Sequence, residues 1–157
     1  MLKEKRFAQA AQRRGALPLL TRLSRFRYQL RLFLRFSENA ARAAGITPQQ
    51  HQLMLGVAGF TGRGWATISE LAEFLQEKHN AVVALVSRAS RAHLVGKQPI
   101  ARDRRFMRVE LTPAGRGILM KLSALHRREL SRFERRMRLA AAQNIQKRTP
   151  GRRKATS

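Results

Sequence analysis

Four consecutive charged residues, Arg102, Asp103, Arg104 and Arg105, bring three guanidinium groups and one carboxylate together in this 157-residue sequence. They adjoin an alternating segment, residues 105–111, whose period of two predicts a β-strand. Four charges in a row cannot be buried, so we expect them at the tip of a β-hairpin formed with the preceding segment. Adjacent guanidinium groups beside one carboxylate suit a narrow, electronegative DNA minor groove. A solvated surface run is the alternative.

The sequence shows no arrangement of residues suited to catalysis or metal binding. It contains no cysteine, which removes thiolate ligands, disulfides and thiol redox chemistry. The histidines are His51, His79, His93 and His126, and no two of them stand four positions apart. Asp103 is the sole aspartate, and no nucleophile, base and acid set can be assembled around it. We therefore predict a protein that is not an enzyme and has neither a metal site nor a cofactor.

A pair of short predicted helices joined by a polar turn forms a helix-turn-helix pattern. Thr67 or Ser69 can cap the first helix, which ends near Leu75, and the polar turn covers residues 76–80. The second helix has apolar residues at helical spacing, which predicts one buried face. The predicted buried residues of the second helix are Val82, Val83, Leu85, Val86 and Ala89.

The other face of this second helix carries cationic and hydrogen-bonding groups. Such a face can enter a major groove and read base edges. One alternative is that His79 and Asn80 only cap the helix, and another is that Arg88 pairs with Glu70 or Glu73. The residues that we predict to contact DNA, on the helix pair and at the hairpin tip, are Ser69, Lys78, His79, Asn80, Ala81, Ala84, Ser87, Arg88, Arg91, Arg102, Asp103, Arg104 and Arg105.

Two long helices are predicted at the ends of the folded region. Apolar residues recur at helical spacing over residues 19–43, with arginines between them and with Pro18 and Gly45 at the two boundaries. Thr112-Pro113 predicts the start of the other long helix, and Thr47-Pro48-Gln49-Gln50 predicts a capping box on a short one. The long apolar stripe favours packing against a second copy of the chain. A basic amphipathic helix lying on a membrane surface is the alternative.

These elements predict one folded domain between two basic ends. Residues 1–18 are expected to be a flexible N-terminal segment, and residues 143–157 a disordered basic tail. The domain covers residues 19–142. Its dimerisation helices are predicted at about 19–45 and 113–142.

The net charge of +24 and the pI near 12.0 predict a polyanionic partner. The charge is uneven, with +9 in residues 1–35, −2 in 36–77, +8 in 78–125 and +9 in 126–157. Because 43% of the residues are hydrophobic, the chain can also bury a core. The apolar runs are too short for a membrane-spanning helix. The basic start of the chain leaves an organellar transit peptide open.

The order and spacing of these elements resemble the MarR family of bacterial winged-helix transcription regulators over roughly residues 22–140. The resemblance is carried by several short segments at matching spacings. They are Pro48–Gln50, Thr67–Leu75 (TISELAEFL), Val86–Arg88, Leu94–Val95 and Asp103–Gly115 (DRRFMRVELTPAG).

This resemblance implies a mainly α fold with a small β-hairpin wing, a winged helix-turn-helix that dimerises through its N- and C-terminal helices. The implied recognition helix covers residues 79–93, the implied minor-groove arginine is Arg105, and Asp103 would orient it. The chain departs from the family pattern at His93, where a glycine commonly precedes the Leu-Val pair. Further departures are Ala89, where a larger apolar residue is usual, and Ser87, which is often an aspartate.

The predicted function is that of a cytoplasmic, nucleoid-associated bacterial transcription regulator that binds double-stranded DNA sequence-specifically. We expect a homodimeric repressor on a pseudo-palindromic operator, released by a small aromatic or phenolic effector. His51, Trp65 and His126 are the candidate effector-pocket residues, with ordinary packing as the alternative. The alternative function is a low-specificity nucleic-acid-binding protein that compacts DNA or associates with RNA, which the arginine-rich ends favour.

Overall fold

The structure is a computed structural model that describes the backbone of residues 2–100 and 103–146 and the side chains of residues 17–100 and 107–138. The chain divides into two compact units, one formed by residues 1–35 and 128–157 and the other by residues 36–127. We call them the helical unit and the central unit. The elements in chain order are α1 (Leu2–Ala43), α2 (Pro48–Leu55), a π-helical turn (Gly56–Phe60), β1 (Trp65–Thr67), α3 (Ile68–Leu75), α4 (His79–Arg91), β2 (Val95–Ile100), β3 (Asp103–Leu111) and α5 (Pro113–Gln146).

The central unit contains a continuous hydrophobic core. Helices α2, α3 and α4, the three strands and the adjoining parts of α1 and α5 each contribute side chains to it. Leu53, Met54 and Leu71 are among its largest fully buried members. Burial of this apolar surface is the main force that holds α3 against α4, because short isolated helices are marginal in water.

A three-stranded antiparallel sheet in the order β1–β3–β2 completes the central unit. The predicted hairpin between β2 and β3 is confirmed, and the predicted extended segment Trp65–Thr67 adds a third strand by pairing with β3. The hairpin is not regular, since Pro99 is opposite Met107 whereas Ile100 is opposite Asp103. Residues 104–106 therefore have no direct partner on β2, beside a proline that has no N–H for the ladder.

The predicted helix boundaries inside the central unit are confirmed by their capping groups. Thr47 and Thr67 each accept a hydrogen bond from the backbone N–H three residues later, and the Gln50 and Glu70 side chains complete two capping boxes. At the end of α1, Gly45 has a positive φ of 79°, and the N–H of the next residue reaches back to the carbonyl of residue 41. This is the Schellman geometry that glycine favours.

Both long helices extend further than the sequence pattern predicts. Helix α1 begins at Leu2, so the segment predicted to be flexible, residues 1–18, has helical backbone from residue 2 and Pro18 lies inside the helix. The segments on both sides of that proline are rich in Ala, Leu, Gln, Lys and Arg, which have high helix propensity. Helix α5 likewise continues past the predicted residue 142 to Gln146. The remainder of the predicted disordered tail, residues 147–157, lies outside the described residues.

The helical unit pairs segments of α1 and α5 through a few specific contacts. The rings of Phe33 and Phe133 lie 5.6 Å apart, and Arg136 donates a hydrogen bond to the Gln29 side chain at 3.4 Å. Many other large apolar side chains in this unit are exposed. They are Leu17, Leu19, Leu20, Leu23, Phe26, Tyr28, Leu32, Leu34 and Leu130.

Candidate nucleic-acid interface

Helix α4 presents the predicted recognition face to solvent. Lys78 occupies its N-cap position, and no side chain of a described residue caps the helix. His79 and Asn80 therefore stand in the first turn with exposed side chains, and the interpretation that they only cap the helix is wrong. Because the first-turn N–H groups of a helix lack backbone partners, they and these side chains can bind phosphate or base edges.

The buried side of α4 is narrower than the sequence predicts. Val82, Leu85, Val86 and Ala89 are buried, as expected, but Val83 is 42% exposed and belongs to the outer face. At 100° per residue, Val83 lies about 100° from the centre of the buried face, so it does not reach the core. The prediction that Val83 is buried was wrong for this reason.

The centre of the outer face of α4 is a row of residues spaced three or four apart, directly opposite the buried side. Its members differ in chemistry, with an amide, a methyl group, a hydroxyl and a guanidinium. Three of them are exposed and Ser87 is partly exposed. This recognition row consists of Asn80, Ala84, Ser87 and Arg91.

Ala81 and Arg88 flank the recognition row and are both exposed. Among the described residues, Arg88 has no ion pair, and Glu70 instead accepts hydrogen bonds from Arg63, at 2.6 Å for one oxygen. The proposed pairing of Arg88 with Glu70 or Glu73 is therefore not found. Arg88 is available to contact an anion outside the chain.

The N-terminus of α3 is stabilised by a compact polar cluster. Burial opposes ionisation of Glu70, but hydrogen bonds from Thr67 and from Arg63 outweigh it and lower the pKa of this carboxyl. The guanidinium of Arg63 also lies over the Trp65 ring, 3.8 Å from its centroid. Ser69 is exposed in the first turn beside this cluster, where its hydroxyl and the helix N–H groups can face a phosphate.

The wing places its charged residues at an irregular part of the hairpin. The backbone of Asp103, Arg104 and Arg105 belongs to strand β3, so these residues begin the strand and do not form the turn itself. Their side chains, and Arg102 as a whole, lie outside the described residues. On the described part of the wing, Arg108 donates a hydrogen bond to Gln98 at 2.5 Å, which ties β3 to β2 near the irregularity.

The end of α4 keeps the geometry that glycine usually provides. His93 has a positive φ of 55°, and the N–H of Leu94 reaches back to the Ala89 carbonyl at 3.0 Å. The hydroxyl of Thr112 donates to the His93 carbonyl at 2.6 Å, and the Thr112 N–H donates to that of Leu94 at 3.1 Å. Although histidine replaces the usual glycine at position 93, these hydrogen bonds still connect the end of α4 to the start of α5.

Two of the three candidate effector-pocket residues lie together. The rings of His51 and His126 are 4.9 Å apart, and the ring of Phe36 packs on His126 at 5.4 Å. His51 is only 2% exposed, and burial, followed by the charge of His126, lowers its pKa from 6.5 to about 4. The ring of Trp65 instead contacts the guanidinium of Arg63. The structure thus groups His51 with His126 and places Trp65 in the polar cluster at the N-terminus of α3.

Within the described part of the chain, no group of three or more histidine, aspartate or glutamate side chains could hold a metal ion. Nor does any helix there have the length and apolarity needed to cross a membrane.

Solved structures of MarR family proteins share this architecture. The chain is similar to AbsC, a MarR family transcriptional regulator from Streptomyces coelicolor, with a TM-score of 0.59 and 20% identity over 80% of this chain and 76% of that one. It is also similar to a mutant of MarR from E. coli complexed with operator DNA, with a TM-score of 0.58 and 18% identity over 79% and 90% of the two chains.

BpsR from Bordetella bronchiseptica, whose DNA binding is regulated by 6-hydroxynicotinic acid, is a third similar structure. Its TM-score is 0.56, at 13% identity over 79% of this chain and 91% of that one. No protein-family model and no curated protein matches the sequence. The predicted mainly α architecture with a small antiparallel wing is confirmed. The chain has the winged-helix fold of the MarR family transcription regulators.

Proposed function

We propose that this protein is a sequence-specific DNA-binding transcription regulator and not an enzyme. The observation that carries the proposal is the recognition row of α4, which holds four chemically different side chains in line on an accessible helix face. Amide, methyl, hydroxyl and guanidinium groups each match different base edges in the major groove. Cations, hydroxyls and amides can all bind phosphate, but a methyl group can contribute only an apolar contact to a base, so this mixture favours base readout.

The wing supports the same function through a second groove. Strand β3 carries Asp103, Arg104 and Arg105 at the outer end of the hairpin, where the pairing with β2 is interrupted. Guanidinium groups are attracted by the enhanced negative potential of a narrow minor groove. We propose that Arg105 enters that groove while α4 occupies the major groove, with Ser69, Lys78 and His79 fixing the position on the phosphates.

We further propose that the protein acts as a homodimer on a pseudo-palindromic operator. The support is the exposed apolar surface of the helical unit, where Leu17, Leu23 and Phe26 are all more than 40% exposed in the single chain. Apolar patches of this extent on long helices mark association surfaces. Two copies related by a twofold axis would present two α4 helices to successive major grooves.

The cluster of His51, His126 and Phe36 is the candidate effector site. It combines aromatic rings with imidazole nitrogens, a chemistry that fits a small aromatic or phenolic ligand. Regulation of BpsR by 6-hydroxynicotinic acid supports a ligand of this class. We propose that such an effector lowers DNA affinity, so that the protein is a repressor in the bacterial cytoplasm, associated with the nucleoid.

Selection of duplexes from a random pool, followed by competition gel shifts over a range of salt concentrations, tests the proposal. We expect one recurrent palindromic site that is bound about a thousandfold more tightly than random duplex at moderate salt. A preference below about tenfold would contradict sequence-specific regulation and would favour the low-specificity function instead. The slope of affinity against salt reports the number of phosphates contacted and separates that contribution from base readout.

A further inference from the structure

Val83 is an exposed aliphatic residue on a helix face that is otherwise small or polar. Its 42% exposure contrasts with Val82, Leu85 and Val86 on the same helix, which are buried in the core. Among the described side chains of α4, it is the large apolar one on the outer face. Valine is also a weak helix former, so neither helix propensity nor core packing explains an accessible valine here.

The position of Val83 places it beside the recognition row. It lies three residues after Asn80 and four before Ser87, and side chains at these spacings are neighbours on one helix face. Ala84, the methyl-bearing member of the row, is the next residue. Val83 and Ala84 therefore form a small apolar strip between the amide of Asn80 and the hydroxyl of Ser87.

The surroundings of this strip favour a nucleic acid over an apolar protein surface. Lys78, Arg88 and Arg91 border it and are all exposed, so an approaching partner must be anionic outside the strip. The C5-methyl of thymine is the aliphatic group that the four bases present in the major groove. Asn80, one helical turn away, has the amide geometry that pairs with adenine.

We propose that Val83 reads the C5-methyl group of a thymine and, together with Asn80, makes an A·T pair a requirement of each half-site. The inference rests on the proposed sequence-specific DNA binding and deepens it. Contact with the methyl removes apolar surface of both groups from water, and removal of one buried carbon is worth about three- to fivefold in affinity. For a dimer on two half-sites, the combined effect is about ten- to twentyfold.

The test uses the full-length protein and the duplex recovered by selection, with each symmetry-related pair of thymines replaced in turn by deoxyuridine. Deoxyuridine keeps base pairing and removes only the methyl group. We expect one pair of positions at which the replacement weakens binding about ten- to twentyfold. Val83→Ser, which removes both γ-methyl groups and leaves a small hydroxyl, should weaken binding to the thymine duplex by a similar factor.

The decisive measurement combines the two changes. Val83→Ser should bind the thymine and deoxyuridine duplexes almost equally, because neither γ-methyl group remains to contact the base. Leu55→Ser is the matched control, since Leu55 is similarly exposed at 39% but lies on α2, and its binding should remain methyl-dependent.

Two results would overturn the inference while leaving the proposed function intact. The first is a well-defined selected site at which no deoxyuridine replacement weakens binding. The second is an equal loss of affinity by Val83→Ser on both duplexes, because the unchanged methyl dependence would then belong to another residue. Failure to select any site would instead contradict the proposed function itself.

Discussion

The central unit and the helical unit use their apolar residues in opposite ways. Among the described side chains, every buried hydrophobic residue lies between residues 36 and 127, whereas the helical unit exposes a long series of leucines and aromatic residues. Leu53 and Leu71 of the central unit are completely buried, and Leu23 of the helical unit is 49% exposed. One unit buries a core formed by its own residues, and the other leaves a series of apolar side chains exposed.

Because of this difference, we expect substitutions in one unit to affect stability and substitutions in the other to affect assembly. Changes inside the central unit should alter the free energy of unfolding of that unit, because its packing is complete. Changes on the exposed face of the helical unit should alter association instead, because those side chains have little to lose within one chain. Net charge follows a similar division, since the residues proposed to read the grooves lie in the segment 78–125 and the two ends hold most of the remaining positive charge.

The largest effect is expected from Leu23→Lys in the helical unit. If this face is the dimer interface, the change removes a leucine from both sides, each worth about 1.5–3 kcal/mol, and raises the dimer dissociation constant at least about a hundredfold. Sedimentation equilibrium measures this dissociation constant. Arg27→Lys, on the same helix, serves as the control and should leave the dimer intact. A Leu23→Lys protein that stays dimeric would remove this face from the interface.

In the central unit, Gly115→Ala should cost about 3 kcal/mol of the free energy of unfolding. A Cβ at this position would overlap the carbonyl oxygen of Leu94, which is backbone and cannot move aside. Gly117→Ala is the matched control, because its added methyl would meet open space in the same helix, and it should stabilise by about 0.5–1 kcal/mol. Denaturant titration measures both. Equal effects of the two substitutions would contradict the tight junction between α4 and α5.

The central unit should also lose stability in acid through His51. Its pKa is lower in the folded chain, about 4 against 6.5, so the unfolded chain binds more protons between these values. The free energy of unfolding should therefore be fully present above pH 6.5 and fall by about 3 kcal/mol as the pH drops to 4. His51→Gln should flatten this part of the profile, and His79→Gln, at an exposed site, should not. A profile unchanged by His51→Gln would show that other groups cause the acid sensitivity.

For DNA binding, Arg105→Ala should weaken the selected site by about 1–3 kcal/mol while affecting random duplex less, because the wing contributes to groove recognition. Arg138→Ala, at an exposed position of α5 in the helical unit, is the control and should shift both affinities together. Titration of the labelled selected and random duplexes measures the two affinities. If Arg105→Ala keeps the same preference for the selected site over random duplex, the wing does not contribute to the specificity of the central unit.

The smallest effect is expected from His93→Gly at the end of α4. The left-handed backbone there is strained for histidine, so glycine should stabilise the central unit by up to about 1 kcal/mol, partly offset by the greater freedom of the unfolded chain. His93→Ala retains the strain and should bring no gain. Thermal and denaturant unfolding distinguish the two, and a gain with alanine alone would contradict a strain-based explanation.

The sequence predicted the elements that depend on local chemistry. The threonine caps at residues 47 and 67, the glycine at the end of α1 and the strand pattern before Leu111 each act within a few residues, and all are confirmed. The helical start before Pro18 was missed because the local signal of a proline outweighed the propensity of its neighbours. The interruption of the pairing between Pro99 and Ile100 was missed because register depends on two strands at once.

In the candidate site, too, the sequence did not determine the surroundings of single side chains. Periodicity identified the recognition helix but placed Val83 in its buried face, and only the packing of α4 showed how wide that face is. Likewise, the sequence suggested Arg88 as a possible partner of Glu70 or Glu73. The fold brought Arg63 to Glu70 and left Arg88 without an ion pair in the described part of the chain.

The sequence by itself predicted a polyanionic partner and DNA-contacting groups on two short helices and a hairpin, and it determined where most helices begin and end. These properties follow from charge, periodicity and capping, which are local. The tertiary structure alone decided which side of α4 faces outward residue by residue, that His51 lies against His126, and that the leucines of the helical unit stay exposed. Burial is a property of surfaces brought together from distant parts of the chain, and a single segment does not contain it.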